Sequence, residues 1–377
     1  MLKRRTCNPE QLLLSITEEQ IKQERTGRRM IHRFIDGHND TLLMLEDGVD
    51  KFFKGIPNGH LDYSKGMAAG FAAGFFAVFC PNPDTDPAQV TYKTEQGYEK
   101  SFPASLDPDY AWKIANTLIS RFYQLEACSE GRFKAVRTVE DLDKAWNGEW
   151  MGGILHMEGA EPIDEGLDAL HVYYHAGLRS LGPVWARKNI FGEGVPYRFP
   201  SSPDTGPGIT EAGRRLVKVC NALGVMIDLS HINEKGFWDI ATLTDAPLVA
   251  THSNAHAICP ISRNLTDRQL DAVKDSGGLV GVTYSTSPNM VTEDGVNRQD
   301  VALSAIVKHI HYMIERMGID HVALGSDFDG TRIPYSMHDV TGVPKILRIL
   351  EKEGMTEGEI YKITQGNWRR VLSNTWK

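Results

Sequence analysis

The sequence predicts an α/β fold, a (β/α)8 barrel of the TIM type. A helical arm over residues 1–30 precedes the barrel over residues 31–377, and a long insertion follows the fourth strand. Three observations predict it. Eight β-type runs alternate with segments of helical spacing, the count such a barrel requires. The histidines and carboxylates best suited to chemistry fall directly after strands one, three, five, six and eight, at the carboxyl ends where these barrels work. The length of 377 residues suits one barrel with insertions.

In chain order, residues 11–29 have helical spacing, with Ser15 or Thr17 as candidate caps and Glu18 and Glu19 in a first turn. A first strand then ends in Gly37, His38 and Asp40. Residues 70–79, GFAAGFFAVF, form a continuous apolar run that suits a strand covered on both faces. Residues 81–105 are rich in Pro, Asp, Thr and Gln and read as a long loop. Helical spacing returns over 109–127, through Ala111, Ile114, Ala115, Leu118 and Phe122, and again over 139–146. Strand three, GGILHMEG, carries His156 and ends at Glu158. Strand four, RSLGPVW, ends at Trp185. The prolines and glycines of residues 186–208 exclude a long helix or strand there, and loops after barrel strands commonly shape specificity.

A capped helix over 210–223 leads to strand five, VMIDLSH, ending at His231. A helix over 234–243 leads to strand six, PLVATH, ending at His252. A helix over 265–274, capped by Asn264 or Thr266, precedes strand seven at 278–284. A long helix over 299–317 precedes strand eight, which starts at His321 and reaches Asp327. Closing helices follow from Tyr335.

Composition narrows the function. Hydrophobic residues make up 41% and charged residues 24%, as in an ordinary globular protein. A net charge of -8 argues against a nucleic-acid surface, which needs a clustered basic face. The 5 cysteines are odd in number and widely spaced, with no Cys-x-x-Cys, so neither a disulfide framework nor a thiolate zinc knuckle is expected. No apolar run reaches the roughly 18 residues of a membrane span, and residues 12–14 are too short for a signal-peptide core. The expectation is a reduced, cytoplasmic protein without nucleic-acid or membrane partners.

The rim residues point to metal chemistry. His38 and Asp40 are two apart on extended chain and so face one way. His231 and His252 end successive strands, where neutral imidazoles can grip one ion. With Glu158 and Asp327 they make three nitrogens and three carboxylates, a set that suits borderline divalent metals, zinc first. Two ions are expected about 3.5–4 Å apart. His38 and Asp40 would hold one, His231 and His252 the other, and Glu158 would bridge. A water or hydroxide between them is acidified at neutral pH, and Asp327 is placed to carry its proton to a leaving amine. His156 shares the strand-three face and is expected to support the ligands rather than bind. No Gly-x-Ser-x-Gly elbow is present, which disfavours covalent catalysis.

These motifs, from about Phe34 to the end, resemble the membrane (renal) dipeptidases and their soluble bacterial relatives among the metal-dependent amidohydrolase barrels. The matching pieces are DGHND ending at Asp40, EG at Glu158, DLSH ending at His231, THSNA from Thr251, SRN around Arg263, GSDFDG around Asp327 and the closing GNWRRVL. The resemblance implies a dipeptidase with two Zn2+ ions on His38, Asp40, Glu158, His231 and His252. It also implies that Asp327 is catalytic, that the chain forms a homodimer and that L,D-dipeptides are tolerated. Arg263 would bind the substrate's terminal carboxylate, as a guanidinium fork does bidentately. One departure stands out. Where the family carries a histidine for the oxyanion, this chain has Trp185, whose indole donates one hydrogen bond without charge. Trp185 is therefore expected to contact substrate, with the oxyanion left to the metals, Trp185, Arg187 or Arg198. It also favours, as an alternative, a related amidohydrolase acting on an N-acyl amino acid or cyclic amide. A barrel kept only for interaction is disfavoured, because all six ligand and acid positions are filled.

Overall fold

Eight parallel strands carry the rim: β1 (Phe34–Asn39), β2 (Phe71–Phe79), β3 (Met151–Glu158), β4 (Leu178–Gly182), β5 (Met226–Ile227), β6 (Val249–Ser253), β7 (Leu279–Val282) and β8 (Val322–Leu324). The computed structural model describes residues 32–86 and 89–377. The helical arm expected over residues 1–30 lies outside the described residues. Strands β1 to β5 pair in sequence order in one parallel sheet, to which a short outer strand, Phe133–Ala135, adds beside β3. Strands β6, β7 and β8 form a second. Two isolated parallel bridges join the sheets, Asp228 to Val249 on one side and Asn39 to Phe328 on the other.

The strands form where the sequence places unbroken apolar runs, and both of their faces are buried, as parallel sheets require. In β2 every residue but the last is buried. One apolar cluster takes a residue from almost every strand: Ile35, Phe75, Ile154, Met226, Val249, Leu279 and Ala323. Trp368, on the helix Asn367–Thr375, closes that cluster from below and donates its indole N–H to Leu324 O at 3.2 Å. Gly37 is required here, because a Cβ on it would collide with Thr251 O and with the Trp368 ring. A larger outer cluster lies between the strands and the helices around them.

Helices alternate with the strands, and several of their starts are capped by side chains. Thr210 accepts from Gly213 N at 3.1 Å and Asn233 from Gly236 N at 2.8 Å. Thr138 and Thr266 close capping boxes with Asp141 and Gln269. Each such cap contributes about 1 kcal/mol. The helix expected from residue 299 begins at Leu303 instead. No helix among the described residues is long and apolar enough to cross a membrane.

Two loops hold more order than their composition predicts. Residues 81–105 contain the strands Thr91–Lys93 and Tyr98–Lys100, and the insertion after β4 supplies Arg198–Phe199 to pair with the latter. This small antiparallel sheet ties the insertion down beside the site. Strands β4, β5 and β8 end earlier than expected, at Gly182, Ile227 and Leu324. The residues beyond them turn onto the rim.

Candidate active site

The six rim residues expected to act together converge. Glu158, at the end of β3, lies at the centre: its Oε1 is 2.9 Å from His231 Nε2, 3.4 Å from His252 Nε2 and 3.6 Å from His38 Nε2. His38 Nε2 is also 3.3 Å from Asp40 Oδ2, so the two-residue spacing does bring both to one point. His231 Nε2 and His252 Nε2 are 3.1 Å apart. Ligand atoms of His38, Glu158 and His252 lie within 4.8 Å of one another, as do those of His38, Asp40 and Asp327. Asp327 is half-buried and the other five are buried.

Backbone conformation aims the acids. Asp40 N donates to Phe328 O at 2.8 Å, and Asp327 N donates to His38 O at 3.0 Å, which stitches β1 to the turn after β8. Asp327 has φ 64° and Asp329 φ 66°, a left-handed conformation that costs about 1 kcal/mol or more and is held only by its surroundings. Gly330 leaves space that a Cβ would take from Asp40 and Asp327. Below this turn, Asp36 accepts from Ser326 N at 2.7 Å and Ser326 Oγ at 2.9 Å.

The electrostatics split the residues into two kinds. Burial opposes a charge on His38, but Glu158, Asp40 and Asp327 carry its pKa up to about 10. Burial lifts Glu158 well above the usual carboxylate range, and Asp40 and Asp327 add to it. Burial, with Asp40 and Asp36, pushes Asp327 up to about 7. In contrast, burial together with the positive His38 and Arg263 holds His231 and His252 far below the ordinary imidazole value. Neutral imidazoles and crowded carboxylates are what a divalent cation recruits. Two buried rim atoms, Asp40 Oδ1 and His38 Nδ1, have no hydrogen-bond partner in the protein. A carboxylate oxygen left this way fits a cation.

Arg263 lies on the floor beside the histidines. Its Nε donates to His231 Nδ1 at 3.2 Å and its two terminal nitrogens to Ser253 Oγ at 2.8 Å and His252 O at 3.1 Å. Three of its five N–H groups are thus used and two remain for a ligand. Because an arginine only donates, a neutral His231 in this arrangement carries its proton on Nε2, facing Glu158; to ligate a metal there as a neutral imidazole it would move that proton to Nδ1 and give up the Arg263 contact.

Asp40, Glu158, His231, Arg263 and Asp327 line a cavity of about 130 Å³ together with Phe79, Tyr197, Ser285 and Asp329. Trp185 forms one wall, its ring 4.9 Å from Phe79, 6.0 Å from His231 and 6.3 Å from Tyr197. Arg187 is not on the cavity wall. It is buried behind it, with its guanidinium 4.7 Å over the Trp185 ring and 3.8 Å from Glu161 Oε1. Arg198 pairs with Glu99 in the small outer sheet. His156 lies beside these residues: Nδ1 is 2.9 Å from Ser180 Oγ, and its ring meets that of His38 edge-on at 5.2 Å.

Tyr197, Phe79 and Asp329 are absent from the sequence-based set. Tyr197 comes from the irregular insertion and Phe79 from an apolar strand, and neither context marks a site. The supporting acids Asp36 and Asp228 did carry a signal. Each interrupts an apolar run of β-type sequence, where a buried carboxylate must be paired.

The sequence pattern of the membrane dipeptidase family, peptidase family M19, matches residues 27–377. An uncharacterised protein in the pqqA 5′ region of Klebsiella pneumoniae is 48% identical over 67% of this chain and 93% of its own length. The crystal structure of a metallo peptidase from Rhodobacter sphaeroides, liganded with a phosphinate mimic of the dipeptide L-Ala-D-Ala, superposes with a TM-score of 0.86. It is 43% identical and covers 92% of this chain and 100% of that one. The dipeptidase AC, a metallo peptidase of the same family, gives 0.85 at 44% identity over 92% of this chain and 99% of its own.

Proposed function

The chain belongs to the membrane dipeptidase family, peptidase family M19, and is a metallo-dipeptidase; from that premise we propose how its residues share the reaction. The observation that carries the proposal is the position of Glu158, one carboxylate oxygen within 3.6 Å of all three rim imidazoles. We assign two zinc ions, one to His38 and Asp40 and one to His231 and His252, with Glu158 shared. The unpartnered Asp40 Oδ1 and the mixed nitrogen and oxygen donors support this. When bound, the metals supply Lewis-acid polarisation of the scissile carbonyl and acidification of water. The two parallel sheets and the bridges that join them are read as one closed (β/α)8 barrel.

The remaining work falls to the chain. Asp327 receives a proton from the attacking water and delivers it to the leaving amine. Its carboxylate lies within 4.8 Å of the ligand atoms of His38 and Asp40, at the mouth where both transfers would take place. Arg263 offers its two free N–H groups to the substrate's terminal carboxylate. Phe79, Trp185 and Tyr197 pack against the substrate and exclude bulk water. The cavity of about 130 Å³ is well below the roughly 300–1,000 Å³ of drug-sized sites, which favours a dipeptide over longer peptides. The L-Ala-D-Ala mimic in the Rhodobacter sphaeroides relative supports an L,D-dipeptide as substrate.

The test is a panel of L,L- and L,D-dipeptides, tripeptides and N-acyl amino acids with zinc-loaded protein. The reading expects amino-acid release from dipeptides, fastest for L,D pairs, and little from tripeptides. Turnover of N-acyl amino acids without turnover of any dipeptide contradicts it.

A further inference from the structure

Behind His252 lies a three-member hydrogen-bond chain whose direction can be read from its chemistry. Asp228, buried just beyond β5, accepts four hydrogen bonds. Its Oδ1 takes Ser230 N at 3.1 Å, Ser230 Oγ at 2.6 Å and Thr251 N at 2.8 Å, and its Oδ2 takes Thr251 Oγ1 at 2.7 Å. Thr251 Oγ1 in turn lies 2.8 Å from His252 Nδ1. A threonine hydroxyl has one proton, and a carboxylate only accepts. That proton therefore goes to Asp228, and the Thr251 oxygen is left to accept from His252 Nδ1–H. His252 then presents a bare Nε2 to Glu158 and the rim.

We propose that Asp228, acting through Thr251, is a positioning residue that fixes His252 in the tautomer able to bind metal. The role rests on the assignment of His252 as a zinc ligand. Such outer partners fix ring orientation and tautomer in metal sites generally, and losing one commonly costs 10–100-fold in metal affinity. The same carboxylate oxygen is 3.6 Å from His156 Nε2 and 4.0 Å from His252 Nδ1, so it is the negative charge nearest to both rings from below.

Asp228→Asn reverses the chain without changing its shape. Ser230 N and Thr251 N still demand an oxygen at the Oδ1 position, which puts the amide NH2 opposite Thr251 Oγ1. The hydroxyl must then donate to His252 Nδ1, and the imidazole proton moves to Nε2. Two readouts test this. Long-range 1H–15N correlation on the metal-free protein reports the His252 tautomer directly. Competition with a chromophoric chelator reports zinc affinity.

We expect an Nδ1–H tautomer in the wild type, an Nε2–H tautomer in Asp228→Asn and a loss of about 10–100-fold in affinity for the more weakly held zinc. Thr251→Val, which cuts the chain, should weaken zinc in the same direction, and Thr251→Ser should restore it. The Thr251 pair carries the test if Asp228→Asn does not fold. A wild-type tautomer and affinity in Asp228→Asn, or equal affinities in Thr251→Val and Thr251→Ser, overturn the proposal. A wild-type protein that binds no zinc defeats the metal assignment instead, and the tautomer measurement tells the two failures apart.

Discussion

On the β1 and β8 side of the mouth, His38 shares its space with Asp40 and Asp327, and the crowded acids carry that imidazole up to about 10. On the β5 and β6 side, His231 and His252 face each other at 3.1 Å with Arg263 beside them, and both are held neutral. The residue types overlap, yet the protonation states are opposite. The difference lies in what stands behind each ring. Acids surround His38, a guanidinium donates to His231 Nδ1, and a threonine accepts from His252. A histidine's readiness for metal is therefore a property of its neighbours; Glu158 touches both sides, and the His38 ring lies 3.9 Å from that of His252.

That asymmetry can be broken at its hinge. Glu158→Gln should empty both sides and lower kcat/KM by at least about 10^4-fold, because the acidified-water chemistry leaves with the metal. Metal analysis of the purified variant checks it, and retention of two zinc ions contradicts it. Asp327→Asn should be selective. The variant keeps its zinc, loses about 10^2–10^4-fold in kcat and loses the pH dependence that Asp327 supplies. A kcat within threefold of wild type counts against its proton role.

The acid side also predicts a pH effect. In the metal-free protein His38, carried up to about 10, holds a proton that a cation must displace, and burial biases Glu158 toward its protonated form. Both groups have raised pKa values, so they release protons as pH rises, and zinc binding tightens. The expected slope between pH 6 and 8 is roughly tenfold per pH unit for each proton displaced. Chelator competition at several pH values measures it, and a flat profile refutes the crowding of acids described here. Arg263→Ala should raise KM about 10–100-fold for free-acid substrates, the scale of a charge-assisted bidentate contact, and leave amidated substrates unchanged. Equal effects on both would show that Arg263 serves only to hold its two histidines. Trp185→Phe should matter least, within about fivefold, since it keeps most of the apolar wall.

The strands and the six rim residues were legible because both signals are local. A β-type run ending in a histidine or acid shows itself within ten residues. What lay hidden depends on contacts between distant residues. Strand β5 was expected to reach His231 but stops at Ile227, where Asp228 takes the amides of Ser230 and Thr251 in place of a strand partner. Strand β8 stops at Leu324 for a related reason: Ser326 N donates to Asp36, 290 residues away. The same carboxylates that shorten the strands hold the rim. Tyr197 reaches the cavity only because the insertion is anchored through Arg198–Phe199 to a hairpin in a loop that composition marks as irregular.

The most direct measurement is anomalous diffraction at the zinc edge from crystals of zinc-loaded protein. The account predicts two peaks flanking the Glu158 carboxylate, one beside His38 and Asp40 and one beside His231 and His252. A single peak away from Glu158, or none with zinc in excess, would contradict it.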